Sequence, residues 1–232
     1  MSDSAQDAFC ELQPIKRTES LATRVQNSLV ELIIQRTLLP GQHIVETEVA
    51  NQLGVSRQPV REALRSLTAH GWVDQFQGRG TFVHEPTEKE INDTLEFRVL
   101  LETEAARLAA ELATPADIAL LNSLAEEGLS AVERGDMVSA VQLDSAFHDK
   151  IAEMSGNSYL KDSLDRLSRR ARWYLKPLVE ERGGTSFEEH IAIAKLIAQQ
   201  NGAAAAVHMR AHTGVSIELA FAATTLQTDK PN

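Results

Sequence analysis

The sequence has a single cysteine, Cys10, among 232 residues, which excludes an internal disulfide framework and any zinc site built on several thiolates. Aromatic residues make up only 5%, so the core must be mainly aliphatic. No apolar run approaches the roughly 20 residues that span a bilayer. Because the N-terminus also lacks the apolar segment of a secretion signal, we expect a cytoplasmic protein.

Proline is also scarce, with 7 residues, whereas alanine and leucine are abundant, and this composition favours helix. The net charge of −10 is unevenly distributed: residues 1–85 carry −2 and residues 86–232 carry −8. A protein that is acidic overall can still present a local basic face to phosphate groups. The first part has four arginines close together, among only two acidic residues: Arg57, Arg61, Arg65 and Arg79, with Glu62 and Asp74.

The pattern of turns and amphipathic segments predicts two domains. Residues 19–84 contain the strongest turn sequences, and residues 90–224 read as successive long amphipathic helices. Residues 85–89 are interpreted as a linker between the two domains. Residues 1–18 and 225–232 are expected to be flexible tails.

The first domain has the element order of a winged helix-turn-helix. A helix over about 21–35 ends before Pro40-Gly41, and a short helix over 46–53 leads into a tight turn at Gly54. Ser56 is expected to cap a third helix with its side-chain oxygen. The buried positions of the third helix are expected to be Val60, Ala63, Leu64 and Leu67. Two β-type runs, Trp72–Phe76 and Thr81–Val83, flank a glycine-rich hairpin, Gln77–Gly80, which forms the wing.

This motif predicts DNA binding through the N-terminal part of the third helix, which would face base edges in the major groove. Arginine can bind guanine, and glutamine adenine, with paired hydrogen bonds. The wing would bring a further arginine near the sugar-phosphate backbone. The alternative, that these side chains only solvate a helix face, leaves their combination with the hairpin unexplained. The residues concerned are Ser56, Arg57, Gln58, Arg61, Arg65 and Arg79.

The second domain is interpreted as a bundle of about six helices, because no repeat of 20–50 residues is present. A break is expected at Gly183-Gly184, and the capping box Ser186-Phe-Glu-Glu189 would start the fifth helix. The expected fold class is therefore mainly α, with an N-terminal winged helix-turn-helix carrying a small β wing and a C-terminal all-α bundle of six to seven helices.

Polar residues at helical spacing point to a metal site in the bundle. Asp144 and His148 are four residues apart and project from one face of a helix, among apolar neighbours. His190 and His212 lie on two later helices. One carboxylate and three imidazoles suit a divalent ion such as zinc or nickel, with open positions for a carboxylate ligand. The alternatives are surface or satisfied core histidines and a local Asp–His hydrogen bond.

The first domain resembles the DNA-binding domain of the GntR family of bacterial transcription regulators. The matching pieces are Pro40-Gly41, Glu46-Thr-Glu-Val-Ala50, Leu53-Gly-Val-Ser-Arg-Gln-Pro-Val-Arg-Glu-Ala-Leu64 and Gly78-Arg-Gly80. The resemblance implies that Arg57 and Arg61 contact DNA and that Gln77 and Gly78 do so from the wing. Thr47 occupies a position where some members of the family carry an arginine, so one possible contact of that arginine with DNA is absent here. It also implies a bacterial protein that acts at the nucleoid.

The second domain resembles the FCD ligand-binding domain of the FadR subfamily. The matching pieces are Phe97-Arg98 with Glu102, Asp144 with Phe147-His148, Ser155-Gly-Asn157, Glu189-His190, and Met209-Arg with His212. In the metal-binding branch of that domain, one aspartate and three histidines hold the ion. The resemblance therefore implies that Asp144, His148, His190 and His212 are the ligands, with His208 on the surface or behind them.

Two further residues are candidates for effector binding. Arg98 lies where related regulators often hold an effector carboxylate, which an arginine fork matches. Its alternative role is an i,i+4 salt bridge to Glu102. Asn157 is the second candidate, and its alternative role is that of a helix cap.

The leading hypothesis is a homodimeric transcription regulator, a repressor, that binds a pseudo-palindromic operator in double-stranded DNA and responds to a small organic acid. One alternative is a metal sensor without an organic effector. Another is a metal-dependent enzyme fused to a DNA-binding domain. Against the enzyme, the sequence has no H-E-x-x-H motif and no glycine-rich phosphate loop. We therefore expect that the protein is not an enzyme.

Overall fold

The computed structural model describes the backbone of residues 19–228, and the side chains of that stretch except 176–182 and 216–228. Within it lie eight helices and three short strands, so the predicted mainly α fold class is confirmed. The predicted tail over residues 1–18 falls outside the described residues. The described chain divides into two compact units: residues 19–31 with 41–84, and residues 32–40 with 85 onward.

The winged helix-turn-helix is formed by three helices and a three-stranded antiparallel sheet. In the sheet β3 is central, with β1 and β2 on either side, and Phe82 lies opposite both His43 and Asp74. Strand β1 is too short for a sequence pattern to indicate it. The elements are α1 (Leu21–Ile34), β1 (His43–Ile44), α2 (Glu46–Leu53), α3 (Arg57–Ala69), β2 (Val73–Phe76) and β3 (Gly80–Val83).

The turn between α2 and α3 forms as the sequence predicts. Gly54 has a φ of 63°, a left-handed conformation that favours glycine, and its N–H bonds the carbonyl groups that end α2. Ser56 precedes α3 in the extended conformation of an N-cap, but its side chain makes no cap hydrogen bond, so the predicted hydroxyl cap is wrong. Pro59 explains this in part, since it stands three residues on, where the cap would find a backbone N–H. The predicted buried positions are confirmed: Val60, Ala63, Leu64 and Leu67.

The second unit is a bundle whose helices begin at well-formed caps. Thr114 and Asp117 form a capping box, with Pro115 in the first turn of the helix that follows. The side chain of Asp136 accepts a hydrogen bond from the Ser139 N–H. The helices are α4 (Glu88–Leu112), α5 (Pro115–Glu133), α6 (Met137–Met154), α7 (Ser158–Ala198) and α8 (Gly202–Thr228).

The predicted break at Gly183-Gly184 is wrong, because α7 runs through both glycines as one 41-residue helix. A Cβ on Gly183 would lie 3.0 Å from a methyl carbon of Val132 in α5, so the missing side chain lets the two helices approach. Ser186 therefore lies inside α7 and starts no helix. The bundle has five helices in the described residues, and α8 extends to Thr228, so the tail predicted over 225–232 is helical in its first four residues.

The bundle core is built mainly from alanine and aliphatic side chains. Helix α4 contributes four fully buried alanines, which allow neighbouring helices to pack closely against it. Larger side chains, among them Phe147 and Ile193, fill the space between the helices. No helix in the described part of the chain is long and apolar enough to cross a membrane.

Candidate nucleic-acid interface and candidate metal centre

The predicted DNA-contacting residues are all exposed to solvent. Arg57 and Arg61 lie one turn apart on α3, on an exposed face beside its buried stripe. A surface of this kind can meet the phosphates and base edges of a duplex without rearrangement of the core. The exposed residues are Thr47, Ser56, Arg57, Gln58, Arg61, Arg65, Gln77, Gly78 and Arg79.

A carboxylate from α2 contacts two of the three arginines of α3. Glu46 Oε2 accepts hydrogen bonds from Arg61 Nη2 at 3.2 Å and from Arg61 Nε at 3.4 Å, and it lies 3.5 Å from Arg57 Nη2. Farther along α3, Gln58 Nε2 donates to Glu62 at 2.7 Å. The sequence offers no local signal for the first contact, since Glu46 and Arg61 are fifteen residues apart.

The wing carries its arginine over two aromatic rings. The Arg79 guanidinium lies 5.4 Å from the centre of the Phe76 ring and 5.9 Å from that of Phe82. Cation–π contacts of this kind hold the charge at the surface while the rings cover its apolar side. Gly78 and Gly80, on either side, have φ values of 74° and 104°, which only glycine adopts readily.

Three histidines from three helices meet inside the bundle. His148 on α6, His190 on α7 and His212 on α8 are 6%, 0% and 5% exposed, and one ring nitrogen from each lies within 4.8 Å of the others. His212 Nε2 is 3.0 Å from His190 Nε2 and 3.3 Å from His148 Nε2. The Oδ1 atom of Asp144 lies 3.7 Å from His190 Nε2, beside this histidine cluster.

Two carboxylates face the outer nitrogens of this histidine cluster. Glu189 Oε2 lies 2.7 Å from His212 Nδ1, and Glu102 Oε2 lies 3.0 Å from His148 Nδ1, although that N–H does not point straight at the oxygen. Each carboxylate favours a proton on Nδ1. The Nε2 atoms of these two rings are then left with lone pairs that face each other across 3.3 Å. The sequence indicated Glu102 only as a partner of Arg98, and Glu189 only as the end of a capping box and part of a family motif.

Burial and nearby charge set the protonation of these groups. Burial by itself would raise the pKa of Glu102, but Arg98 and His148 outweigh it and hold that pKa at about 2. Burial lowers the pKa of His212, and the hydrogen bond to Glu189 only partly opposes this effect. At neutral pH the site therefore holds an ionised Glu102 and a neutral His212, the protonation states that suit metal binding.

The histidine cluster has the donors and spacing that a divalent ion needs. Lone pairs at 3.3 Å repel each other unless a proton or a cation lies between them. Two nitrogens bound to one zinc ion, each about 2.0–2.1 Å from it at a tetrahedral angle, would lie roughly 3.3–3.4 Å apart. The separations of 3.0 and 3.3 Å from His212 Nε2 are close to that value. The residues therefore fit a metal held by imidazole ligands.

Two aromatic rings pack against His190. Phe147 stacks on the His190 ring, with centroids 4.1 Å apart and planes 15° from parallel, and Phe187 meets it edge-on at 5.2 Å. A Cβ on Gly128 would collide with the Phe187 ring, so this glycine makes room for it. Phe147 therefore covers one face of the His190 ring.

The two predicted effector ligands have structural partners. Arg98, 9% exposed, donates from Nε to Glu102 at 2.7 Å, and the Asn157 side chain accepts a hydrogen bond from the Leu160 N–H at the start of α7. These are the salt bridge and the helix cap that were the alternative readings of the sequence, and effector binding by either residue stays a prediction. His208 is exposed.

Comparison with known proteins gives the family. Residues 21–83 match the model described as bacterial regulatory proteins, gntR family, and residues 93–214, just over half of the chain, match the FCD domain. The chain belongs to the GntR family of bacterial transcription regulators. The Nta operon transcriptional regulator of Aminobacter aminovorans is 33% identical over 75% of this chain and 81% of that protein.

Another relative of this GntR-family protein, the HTH-type transcriptional regulator McbR of Escherichia coli, is 31% identical over 74% of this chain and 78% of that protein. A solved structure of E. coli McbR/YncC superposes with a TM-score of 0.74 and 24% identity, over 91% of this chain and all of that one. The structural likeness supports the fold, and the family membership makes the chain a DNA-binding transcription regulator.

Proposed function

We propose that this regulator is a repressor whose operator affinity is controlled by a small organic acid bound at or near a metal ion in the bundle. In this proposal residues 19–84 read DNA and residues 90–224 sense the effector. The observation that carries it is the meeting of three buried imidazole nitrogens within 4.8 Å, in a family whose members regulate transcription.

In the DNA-bound state a homodimer would present two copies of α3 about one DNA turn apart to a pseudo-palindromic operator. Arg57 and Arg61 would reach base edges or phosphates, and Arg79 would approach the backbone from the wing. Their exposure supports these roles. Because each phosphate contact releases counterions, we expect the affinity to fall steeply with salt.

In the sensor His148, His190 and His212 would hold the metal, zinc or nickel, with Asp144 beside them as the fourth ligand. Once bound, the ion would supply a positive charge and an open position for the effector carboxylate. Glu102 and Glu189, next to the outer nitrogens of His148 and His212, would favour a proton on each of these nitrogens and so leave Nε2 free for the metal.

Effector binding would alter DNA affinity only if the effector binds the DNA-competent and incompetent states unequally. The coupling free energy of such switches is typically about 1–3 kcal/mol. An effect of this size changes operator affinity by roughly 5- to 150-fold.

A second candidate function is a metal sensor without an organic effector. Arg98, the predicted carboxylate anchor, is nearly buried and engaged with Glu102, and this favours the metal itself as the signal. The relatives are named as transcription regulators, which supports a regulatory role for the site over a catalytic one.

The test uses metal-stripped and zinc-loaded protein, with a duplex enriched from a random-sequence pool as the DNA. We expect zinc to change the dissociation constant little and a panel of small mono- and dicarboxylic acids to include one that weakens DNA binding by about 5- to 150-fold, in the zinc-loaded protein only. A full response to zinc alone would favour the metal sensor. An effector response equal in stripped and loaded protein would contradict the metal site.

A further inference from the structure

We propose that Glu46 is a positioning residue for DNA reading: it orients Arg57 and Arg61 and thereby sharpens discrimination between DNA sequences. This inference rests on the proposed DNA contacts of those two arginines. The sequence places Glu46 in α2 and in a motif shared with the GntR family but gives its side chain no role, and the structure brings that side chain to α3.

The guanidinium groups of Arg57 and Arg61 both lie next to one carboxylate oxygen of Glu46. Glu46 lies in the first turn of α2, and its side chain is 25% exposed. Its Oε2 accepts from Arg61 Nε and Nη2, and the same oxygen lies 3.5 Å from Arg57 Nη2. The two arginines are one helical turn apart on α3, so a single carboxylate controls neighbouring guanidinium groups.

The edge of Arg61 that Glu46 engages determines which edge is left for DNA. A guanidinium group has five N–H donors arranged in a rigid plane. When the edge formed by Nε and one N–H of Nη2 binds a carboxylate, the edge formed by Nη1 and the other N–H of Nη2 points away from it. That outer edge matches guanine O6 and N7. Glu46 thus holds the plane in which Arg61 would read a base.

Folding stability alone gives little reason for a carboxylate at position 46. Exposed ion pairs contribute little to folding, and a negative charge on a DNA-facing surface repels phosphates. Arg57 and Arg61 are 59% and 45% exposed, so water and salt screen both contacts. Orientation of the two arginines before binding compensates for this repulsion, because a pre-arranged side chain loses less entropy when it binds.

The arrangement also disfavours non-specific binding. On a random duplex the arginines would gain phosphate contacts only by leaving Glu46, whereas at a matching site they can keep this contact and use their outer edges. Removal of the carboxylate should therefore strengthen binding to random DNA more than binding to the matching site.

The experiment compares Glu46→Gln with Glu48→Gln, which removes the same charge from an exposed position on the same helix. Affinity is measured for a duplex enriched from a random-sequence pool by the unmodified protein, and for a scrambled duplex of equal length. We expect the ratio of the two affinities to fall by about tenfold or more in Glu46→Gln and to stay within about twofold in Glu48→Gln. The salt slope on the scrambled duplex should steepen by about 0.9 or more only in Glu46→Gln.

A third variant, Glu46→Asp, keeps the charge but shortens the side chain by one methylene. We expect the ratio of affinities for the enriched and scrambled duplexes to fall in this variant as well. Melting temperatures of all variants should match that of the unmodified protein. The side-chain NMR signal of the Arg61 Nε–H should broaden or move in Glu46→Gln and Glu46→Asp.

An unchanged affinity ratio in both Glu46 variants would overturn the inference, as would an equal loss in Glu48→Gln. A failure of the proposed DNA contacts of Arg57 and Arg61 would give a different result. In that case Arg57→Ala and Arg61→Ala would bind the enriched duplex as the unmodified protein does.

Discussion

Both units of the molecule place carboxylates against basic side chains, but the basic side chains differ in exposure. In the winged helix-turn-helix, Glu46 contacts two arginines that are about half exposed. In the bundle, Glu102 and Glu189 contact His148 and His212, which are almost completely buried. The comparison shows that burial decides what such a pair does.

At the surface, solvent screening makes an ion pair worth only about 0–1 kcal/mol, so arginines can exchange a carboxylate for a phosphate. In the interior, a polar group that loses its hydrogen-bond partner typically costs about 1–3 kcal/mol, and more when it is charged, so the buried histidines keep their carboxylate partners. The exposed arginines therefore suit reversible binding of DNA, and the buried histidines suit a fixed set of metal ligands. Four predictions test this contrast, each on one side of it.

The largest effect is expected at the surface. Arg57→Ala or Arg61→Ala should weaken operator binding by about 100-fold, because each would remove a proposed contact to a base or a phosphate, and metal content should stay normal. Binding is measured by fluorescence anisotropy and metal content by elemental analysis. Arg24→Ala removes an exposed arginine of α1 and should have little effect. Unimpaired binding by both α3 variants would show that α3 is not the reading helix.

In the interior, His148→Ala should lower zinc affinity by at least about 100-fold and blunt the effector response, while the winged domain stays folded. Competition with a zinc chelator measures the affinity. The matched control is His208→Ala, which removes an exposed histidine one turn before His212. Full zinc occupancy in the His148 variant would refute the proposed ligand set.

A smaller effect is expected when a half-buried carboxylate beside the histidine cluster loses its charge. Glu189→Gln should reduce zinc affinity by about 10- to 100-fold, because His212 Nδ1 loses an ionised acceptor at 2.7 Å. Glu188→Gln changes the exposed neighbour and should leave the affinity as it is. Equal affinities in the two variants would mean that Glu189 does not tune its histidine.

The smallest effect concerns packing behind the histidine cluster. Gly128→Ala should displace the Phe187 ring and lower the free energy of unfolding by about 1–3 kcal/mol, as overpacking does. Gly184→Ala is the control, since a Cβ there meets nothing within 4 Å and helix propensity should rise. Denaturant unfolding measures both. A stabilised Gly128 variant would show that Phe187 is not confined as described.

Much of the fold could be predicted from local sequence because local rules decided it. Gly54 fixes the turn between α2 and α3, and the capping box at Thr114 starts α5. The continuous α7 could not be predicted, because the glycine pair at 183–184 has low helix propensity and only packing against Val132 explains one of the two.

The candidate sites were also predicted from the sequence only in part. The i,i+4 spacing of Asp144 and His148 indicated one shared face, but spacing alone could not bring His190 and His212 to it, and the family resemblance supplied that expectation. Glu46 was missed because its contact crosses between two helices. Contacts between distant segments leave no periodic trace in one sequence.

The most direct test of the histidine cluster is a long-range proton–nitrogen NMR spectrum of the imidazole rings, recorded before and after one equivalent of zinc. We expect the Nε2 signals of His148, His190 and His212 to shift to metal-bound values, while His148 and His212 keep a proton on Nδ1 beside Glu102 and Glu189. Unchanged Nε2 signals, or zinc bound through Nδ1 of either ring, would contradict the proposed metal centre.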